Sequence, residues 1–422
     1  MTFVRAQRYL SAPAKGAPPE QFAALCTRLG RIQAGIRKIA VSANRSGGCR
    51  IEYLESILIA AGYRVGVWTR MGEDDLRSRI RIDGQPIRHK QVCELCEQIM
   101  KEIDGMSGEG TAVEFCSEQK LCALALLAFC CHGCDVVLLD VSEDCTQEPM
   151  WVASPYTLVM PCGFGTKDTA LAKKQAMQIS RAVRRGTREV IMGFVGGEVY
   201  NLLSQACAQA GSRLTVPAKS EATVSEQSLS KTVFTYRGKG PYHLHGSFEV
   251  QFEAALAAIE ACYALRRDGV RLPGQAIMAG LQNAQMPVCF DVLTVRPGVI
   301  VSAAVTREDE RVLLHALHQK TGSFGGRVVL CTESDPDKLL AAFEKEFGAE
   351  QGYAAEEVIF VGQNVPQAQA EQTALTVCTT PKRAAKRILS LTDPDVTVLA
   401  VGAPQFAYAI KQAVSDALIG LS

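Results

Sequence analysis

The chain has 422 residues, 47% of them hydrophobic and 21% charged, an ordinary globular composition with length enough for two or three domains. Its 45 basic residues nearly cancel its 44 acidic ones, which excludes a strongly basic partner for nucleic acid or a membrane surface. The longest apolar runs, 124–131 and 136–139, fall far short of the roughly 20 residues of a membrane span, and Arg5 and Arg8 stand where a signal peptide would be apolar, so the expected address is the cytoplasm.

From Leu25 onward, helical and β-rich stretches alternate, the sign of α/β layering around a mostly parallel sheet. Residues 39–42 read as a strand, 45–49 as a turn of small residues and 50–61 as a helix. A strand over 63–69 follows, then a hairpin over 80–87 that turns at Asp83-Gly84, then helices over 92–100 and 120–130. Further strands are expected at 136–141, 157–161 and 189–195. A polar stretch, 219–231, separates this core from a strand over 232–236 and a helix over 251–266. Past Arg296-Pro297-Gly298 the alternation restarts. Strands at 298–303, 327–331, 357–361, 375–379 and 396–401 interleave with helices near 308–320, 335–347, 381–391 and 405–418. That is a second doubly wound unit of about 125 residues, and the expected domains are 1–295 and 296–422.

The 16 cysteines sit mostly in apolar stretches, as at Cys116, Cys122, Cys130 and Cys331, and read as small core hydrophobes in a reducing compartment. Cys93/Cys96 and Cys131/Cys134 have the spacing of a four-thiolate zinc site, but on helix-patterned segments rather than knuckle turns, so no metal is assigned to them. His243 and His245 would share one face of a strand without an evident carboxylate partner. His315 and His318 stand at i and i+3 of a helix, a spacing that can ligate metal but is more often solvated surface. No Ser-His-Asp or Cys-His constellation can be assembled from the spacing.

Four stretches carry a family resemblance. Glu52-Tyr53-Leu54-Glu55-Ser56-Ile57-Leu58 followed by Ala60-Ala61-Gly62-Tyr63-Arg64-Val65-Gly66 is similar to the helix and second strand of the folylpolyglutamate and dihydrofolate synthases, of the Mur ligase superfamily. Arg79-Ile80-Arg81-Ile82-Asp83-Gly84-Gln85-Pro86-Ile87 resembles their R-I-R-I-N-G-x-P-I hairpin. Residues 282–297, with Cys289-Phe290-Asp291-Val292-Leu293, resemble the G-R-F-E-V segment, and Asp393-Pro394-Asp395 with Val398-Leu399-Ala400-Val401-Gly402 the closing D-P-D…V-L-V-T-G-S strand. The resemblance implies a P-loop domain that binds ATP and magnesium, followed by a Rossmann-like C-terminal domain, with folate and glutamate meeting in the cleft. It also implies ATP-dependent amide-bond formation through an acyl phosphate, chemistry that depends on positioning and charge stabilisation.

The family's phosphate loop, G-T-N-G-K-G-S/T, corresponds here to Ala43-Asn44-Arg45-Ser46-Gly47-Gly48-Cys49. Its lysine has become Gly47 and its magnesium-binding hydroxyl Cys49, a soft thiol that suits magnesium poorly. The remnant loop, Asn44, Arg45, Ser46, Gly47, Gly48, Cys49 and Arg50, remains the candidate cofactor-binding segment: arginines attract an anion, and glycine N–H groups at a helix start can cradle it. ATP and magnesium are expected only if that remnant functions.

The other motif places diverge as well. The serine-proline-histidine segment is Arg70-Met71-Gly72, and the acidic residue of the T-F-F-E type motif falls on Gln119, with Glu118 one place away. Asp140 takes the glutamate place of D-V-x-V-L-E-V, and residues 142–149 replace the glycine-rich run after it. The metal-binding histidine pair maps to Gly165 and Thr166, and the carbamylated lysine near Ser180, with Lys173 and Lys174 within an indel's reach. The D-G-A-H-N-P opening is Ser302-Ala303-Ala304-Val305-Thr306-Arg307, the nucleotide-contacting arginine is Cys289, and G-x-H-Q-x-x-N keeps only Gly246. Losing one preorganised charge-stabilising donor typically costs about a hundred- to thousandfold in rate. The expectation is therefore a kept scaffold without ligase activity and without assigned catalytic or metal residues, retained as a binding or regulatory paralogue. Its partner would be a nucleotide, a folate-like small molecule or another protein. Two alternatives stand beside it: an active divergent synthase using Arg45, Arg50, Glu118 and Lys173 or Lys174, and a nucleotide or pterin sensor without chemistry.

Overall fold

The computed structural model describes the chain except residues 33, 43–47, 70–74, 109–113, 142–154, 162–168, 194–196, 247, 287, 289, 305–306, 321, 323, 349–352, 364–372 and 420–422. It divides into two units, Met1–Lys219 with Glu253–Gln285, and Ser220–Phe252 with Met286–Ser422.

In the first unit, helices α1 (Phe3–Ser11) and α2 (Pro19–Arg28) precede strand β1 (Arg37–Val41), helix α3 (Gly48–Ala60) and strand β2 (Val65–Trp68). The hairpin β3 (Ile80–Ile82) and β4 (Gln85–Pro86) turns at Asp83-Gly84, where both residues have positive φ, 50° and 78°, as a type I′ turn requires. There follow α4 (His89–Gly108), α5 (Ser117–Cys131), β5 (Val136–Asp140), β6 (Leu158–Met160), α6 (Thr169–Ser180), β7 (Glu189–Ile191), α7 (Gly197–Ala210) and β8 (Arg213–Thr215). Helices α8 (Glu249–Arg267, from Glu253 onward) and α9 (Gly274–Asn283) complete the unit.

The strands run β4-β3-β2-β5-β1-β6-β7-β8, parallel apart from the hairpin. β5 is buried at every residue, as a parallel strand covered on both faces must be. Helix α5 is buried from Gln119 to Phe129, so it carries no amphipathic stripe. It lies so close to β2 that a Cβ on Gly66 would stand 2.5 Å from Phe129 Cδ1. Helices α3 and α9 cross as tightly: a Cβ on Gly280 would stand 2.3 Å from Ile57 Cα.

In the second unit, β9 (Ala222–Ser228), β10 (Lys231–Tyr236) and β11 (Lys239–His245) form an antiparallel sheet. The polar stretch expected to act only as a separator therefore contains a strand. β9 pairs on one side alone and leaves nearly every side chain exposed, so no apolar alternation marks it in the sequence. After it come β12 (Asp291–Val295), β13 (Gly298–Ala303), α10 (Arg307–His318), β14 (Arg327–Thr332), α11 (Pro336–Phe347), β15 (Ala354–Val361), β16 (Ala374–Cys378), α12 (Pro381–Leu389), β17 (Val396–Gly402) and α13 (Pro404–Ile419). The order β12-β13-β17-β14-β15-β16 is parallel except at β12. Alternate residues of β13 feed two cores: Ile300 joins Leu314, Leu339, Phe343 and Phe347 under α10 and α11, whereas Val299 and Val301 join Ile388 and Ile410 under α12 and α13. Both units thus have the mixed α/β, mostly parallel architecture expected from the alternation.

The cysteines are largely packed. Burial pushes the thiols of Cys26, Cys134 and Cys262 up to about 12 and those of Cys96 and Cys207 up to about 11. Among the described cysteines only Cys130 and Cys131, at the end of α5, are exposed. No helix among the described residues is long and apolar enough to cross a membrane.

Candidate functional site

β1 stands between β5 and β6, and the chain passes to opposite sides of it: through α3 to β2, beyond β5, and later to β6. The carboxyl ends of strands at such a switch point are where open α/β sheets hold ligands. Ser42, which follows β1, donates its N–H to Met160 O at 3.0 Å, and its side chain, 3% exposed, has a hydroxyl without a hydrogen-bond partner among the described residues. An unsatisfied buried hydroxyl costs about 1–3 kcal/mol.

Asn44, Arg45, Ser46 and Gly47 lie outside the described residues. Gly48 opens α3, and Cys49 and Arg50 occupy its first turn, both buried. The Arg50 guanidinium points into the protein, where Nη1 donates to Pro161 O at 2.7 Å. Asp140, at the end of β5, is fully buried and accepts a long bond, 3.4 Å, from Thr69 Oγ1. Magnesium wants oxygen ligands in octahedral array. Here the residue at the hydroxyl place is a sealed thiol, and no group of three candidate ligands gathers at this edge among the described residues. The described part of the edge does not fit that ion.

The remaining motif places are engaged in structure. Gln119 Oε1 accepts from Cys116 N at 3.1 Å and from Ala17 N at 2.9 Å, which caps α5 and ties down the segment before it. Glu118 is held by Arg79 Nη2 through both carboxylate oxygens, at 3.0 and 3.1 Å. Lys173 pairs with Glu198 at 3.0 Å, and Ser180 Oγ donates to Met177 O at 2.8 Å. In the second unit, Ser302 Oγ accepts from Phe290 N at 3.3 Å. Gly246 is kept for packing: its φ is 98°, and a Cβ there would meet Gln251 Oε1 at 2.2 Å. Residues 70–72, 142–149, 165–166, 289 and 305–306 lie outside the described residues.

One cluster at the start of α3 is not apparent from motif reading. Arg81 on β3 donates from Nη2 to Glu52 Oε1 at 2.8 Å and to Glu55 Oε2 at 2.5 Å, and Glu55 also accepts from Gly84 N at 3.1 Å. Burial raises the Glu52 carboxyl to about 7, with Arg81 opposing and Glu55 reinforcing the rise. The i, i+3 carboxylates of Glu52 and Glu55 were the available signal, since that spacing puts both on one helix face.

No protein-family model matches the chain. It is similar to a probable bifunctional folylpolyglutamate synthase/dihydropteroate synthase of Haloferax volcanii, 24% identical over 294 residues, which cover 68% of this chain and 34% of that protein. The chain thus spans about a third of the length of the curated relatives it matches. Among solved structures, the apo folylpolyglutamate synthase of Lactobacillus casei superposes with a TM-score of 0.80 at 18% identity, covering 100% of both chains. The folylpolyglutamate synthase of Mycobacterium tuberculosis complexed with ADP gives 0.75 at 18%, covering 99% of this chain and 98% of that one. The chain therefore has the fold of the folylpolyglutamate synthases of the Mur ligase superfamily and resembles that family in sequence as well.

Proposed function

We propose that the chain is a folylpolyglutamate-synthase-like protein that has lost ATP-dependent glutamate ligation and is retained as a binding or regulatory paralogue. The observation that carries this is the first turn of α3. At the place of the magnesium-binding hydroxyl stands Cys49, a thiol closed off from solvent, and the neighbouring cation, Arg50, is turned inward onto Pro161 O. The carboxylate nearest the family's acidic place, Glu118, is occupied by Arg79. Each change removes charge stabilisation from a reaction that depends on little else. The effects need not add, but each weakens the neutralisation of a transferring phosphoryl.

The Ser42 hydroxyl, without a hydrogen-bond partner among the described residues, supports a retained ligand rather than an empty scaffold. The N-terminus of α3, which opens at Gly48, suits an anion such as a nucleotide phosphate. The test is a pair of measurements on the purified chain. Incubation with ATP, magnesium, glutamate and either a reduced folate or dihydropteroate should give no ligated product, and calorimetric titration with ATP and ADP should give heat. Turnover to a glutamylated product would overturn the loss of activity. No heat with either nucleotide would overturn the retained phosphate site.

A further inference from the structure

We propose that His315, His318 and Glu346 form a site for a divalent transition-metal ion, of which zinc fits best, on the second unit. The two histidines stand at i and i+3 of α10, and Glu346 reaches them from α11. Glu346 Oε1 lies 2.7 Å from His315 Nδ1 and 3.4 Å from His318 Nδ1. One ligand atom from each residue falls within 4.8 Å of the other two, the only such group of three among the described residues.

Zinc holds nitrogen and oxygen ligands at about 2.0–2.1 Å in tetrahedral array, which sets neighbouring ligand atoms about 3.3–3.4 Å apart. The His318 contact already has that separation. The His315 contact must open by roughly half an ångström, which a side-chain rotation on an exposed helix face supplies. Two imidazoles and one carboxylate are a donor set of intermediate softness, suited to zinc and unsuited to calcium or magnesium.

The scaffold holds the set in place. Leu314 and Leu317 of α10 pack with Leu339, Phe343 and Phe347 of α11, so the two helices share one core. The His318 ring lies 5.1 Å from the Phe347 ring, and Gln319 Nε2 contacts His315 Nε2 at 3.1 Å. Nδ1 of His315 faces Glu346 at the proposed centre, and the Gln319 side-chain amide, turned over to present its oxygen, would accept from Nε2–H of the metal-bound imidazole. His315 is 59% and His318 27% exposed, so an ion has a path in, and three protein ligands leave a fourth position for water or another donor.

The experiment is calorimetric titration of chelator-treated full-length chain with zinc chloride, repeated with His315→Ala, His318→Ala and Glu346→Gln. Cobalt(II) absorption serves as a second readout. The expected result is one zinc per chain, with affinity at least about tenfold lower in each variant, as loss of a ligand demands. Cobalt bands should lack thiolate charge transfer, and Cys130→Ser/Cys131→Ser should leave zinc affinity unchanged. Circular dichroism of the variants checks that the exposed substitutions leave the fold intact. Zinc affinity unchanged in the His315→Ala/His318→Ala chain, a thiolate charge-transfer band, or no zinc binding by the unaltered chain would each overturn the site.

Discussion

Replacing Arg81 by methionine tests the packing that anchors the start of α3. The substitution keeps much of the side chain's volume but removes the only cation bonded to Glu52 and Glu55 among the described residues, and those side chains are 15% and 5% exposed. Breaking a buried pair from one side costs about 3–5 kcal/mol, because the remaining charges stay in a poorly solvated place. The cost should depend on pH. Glu52 is raised by burial to about 7 from 4.5, so in the unaltered chain this group is most favourable to folding below about 4.5. Stability is lost as pH rises from there toward 7. Without Arg81 the folded-state carboxyl rises further, and the loss extends to higher pH. The expected deficit of Arg81→Met is about 3–5 kcal/mol near pH 8 and smaller near pH 5.5, where a protonated carboxyl needs no cation. Urea unfolding followed by tryptophan fluorescence is the assay, since Trp68 and Trp151 both fall in the stretch of sequence that forms the first unit. A deficit under about 1 kcal/mol near pH 8, or one independent of pH, would refute the reasoning.

The same assay reads two further substitutions. Gly280→Ala puts a methyl 2.3 Å from Ile57 Cα, a backbone atom that cannot swing away. Overpacking should cost about 1–3 kcal/mol, and an unchanged urea midpoint would show that α3 and α9 separate freely. Ser42→Ala removes a buried hydroxyl with no partner among the described residues. It should leave stability unchanged or raise it by up to about 1 kcal/mol while weakening nucleotide binding. A clear loss of stability without nucleotide would mean that the hydroxyl is bonded within the protein.

Much of the fold was legible because the elements that define it are strongly patterned. The run Val136–Asp140 and the Asp83-Gly84 turn announce a covered parallel strand and a tight hairpin, and strands β13 to β17 begin within about three residues of expectation. What escaped was weakly patterned or distant. β9 is polar and exposed, and helices α1, α2, α6, α7 and α9 bury their apolar faces against parts of the core drawn from elsewhere in the sequence. At the sites, spacing along one element was visible and convergence between elements was not. His315 and His318 could be paired from their spacing, but Glu346 joins them only because α10 and α11 pack on one core. The inward turn of Arg50 was equally hidden, since its partner is the carbonyl of Pro161, 111 residues away.

The burial of the thiols reaches beyond packing. Thiolate is the form that reacts with oxidants and alkylating reagents, and burial keeps Cys26, Cys134 and Cys262 protonated up to about 12. Cysteine content in this chain is therefore uninformative about the redox conditions it meets: most described thiols are chemically silent under either regime. The pair at the end of α5, Cys130 and Cys131, is the exception, and it offers a native attachment point for a spectroscopic reporter on the first unit without any engineered residue.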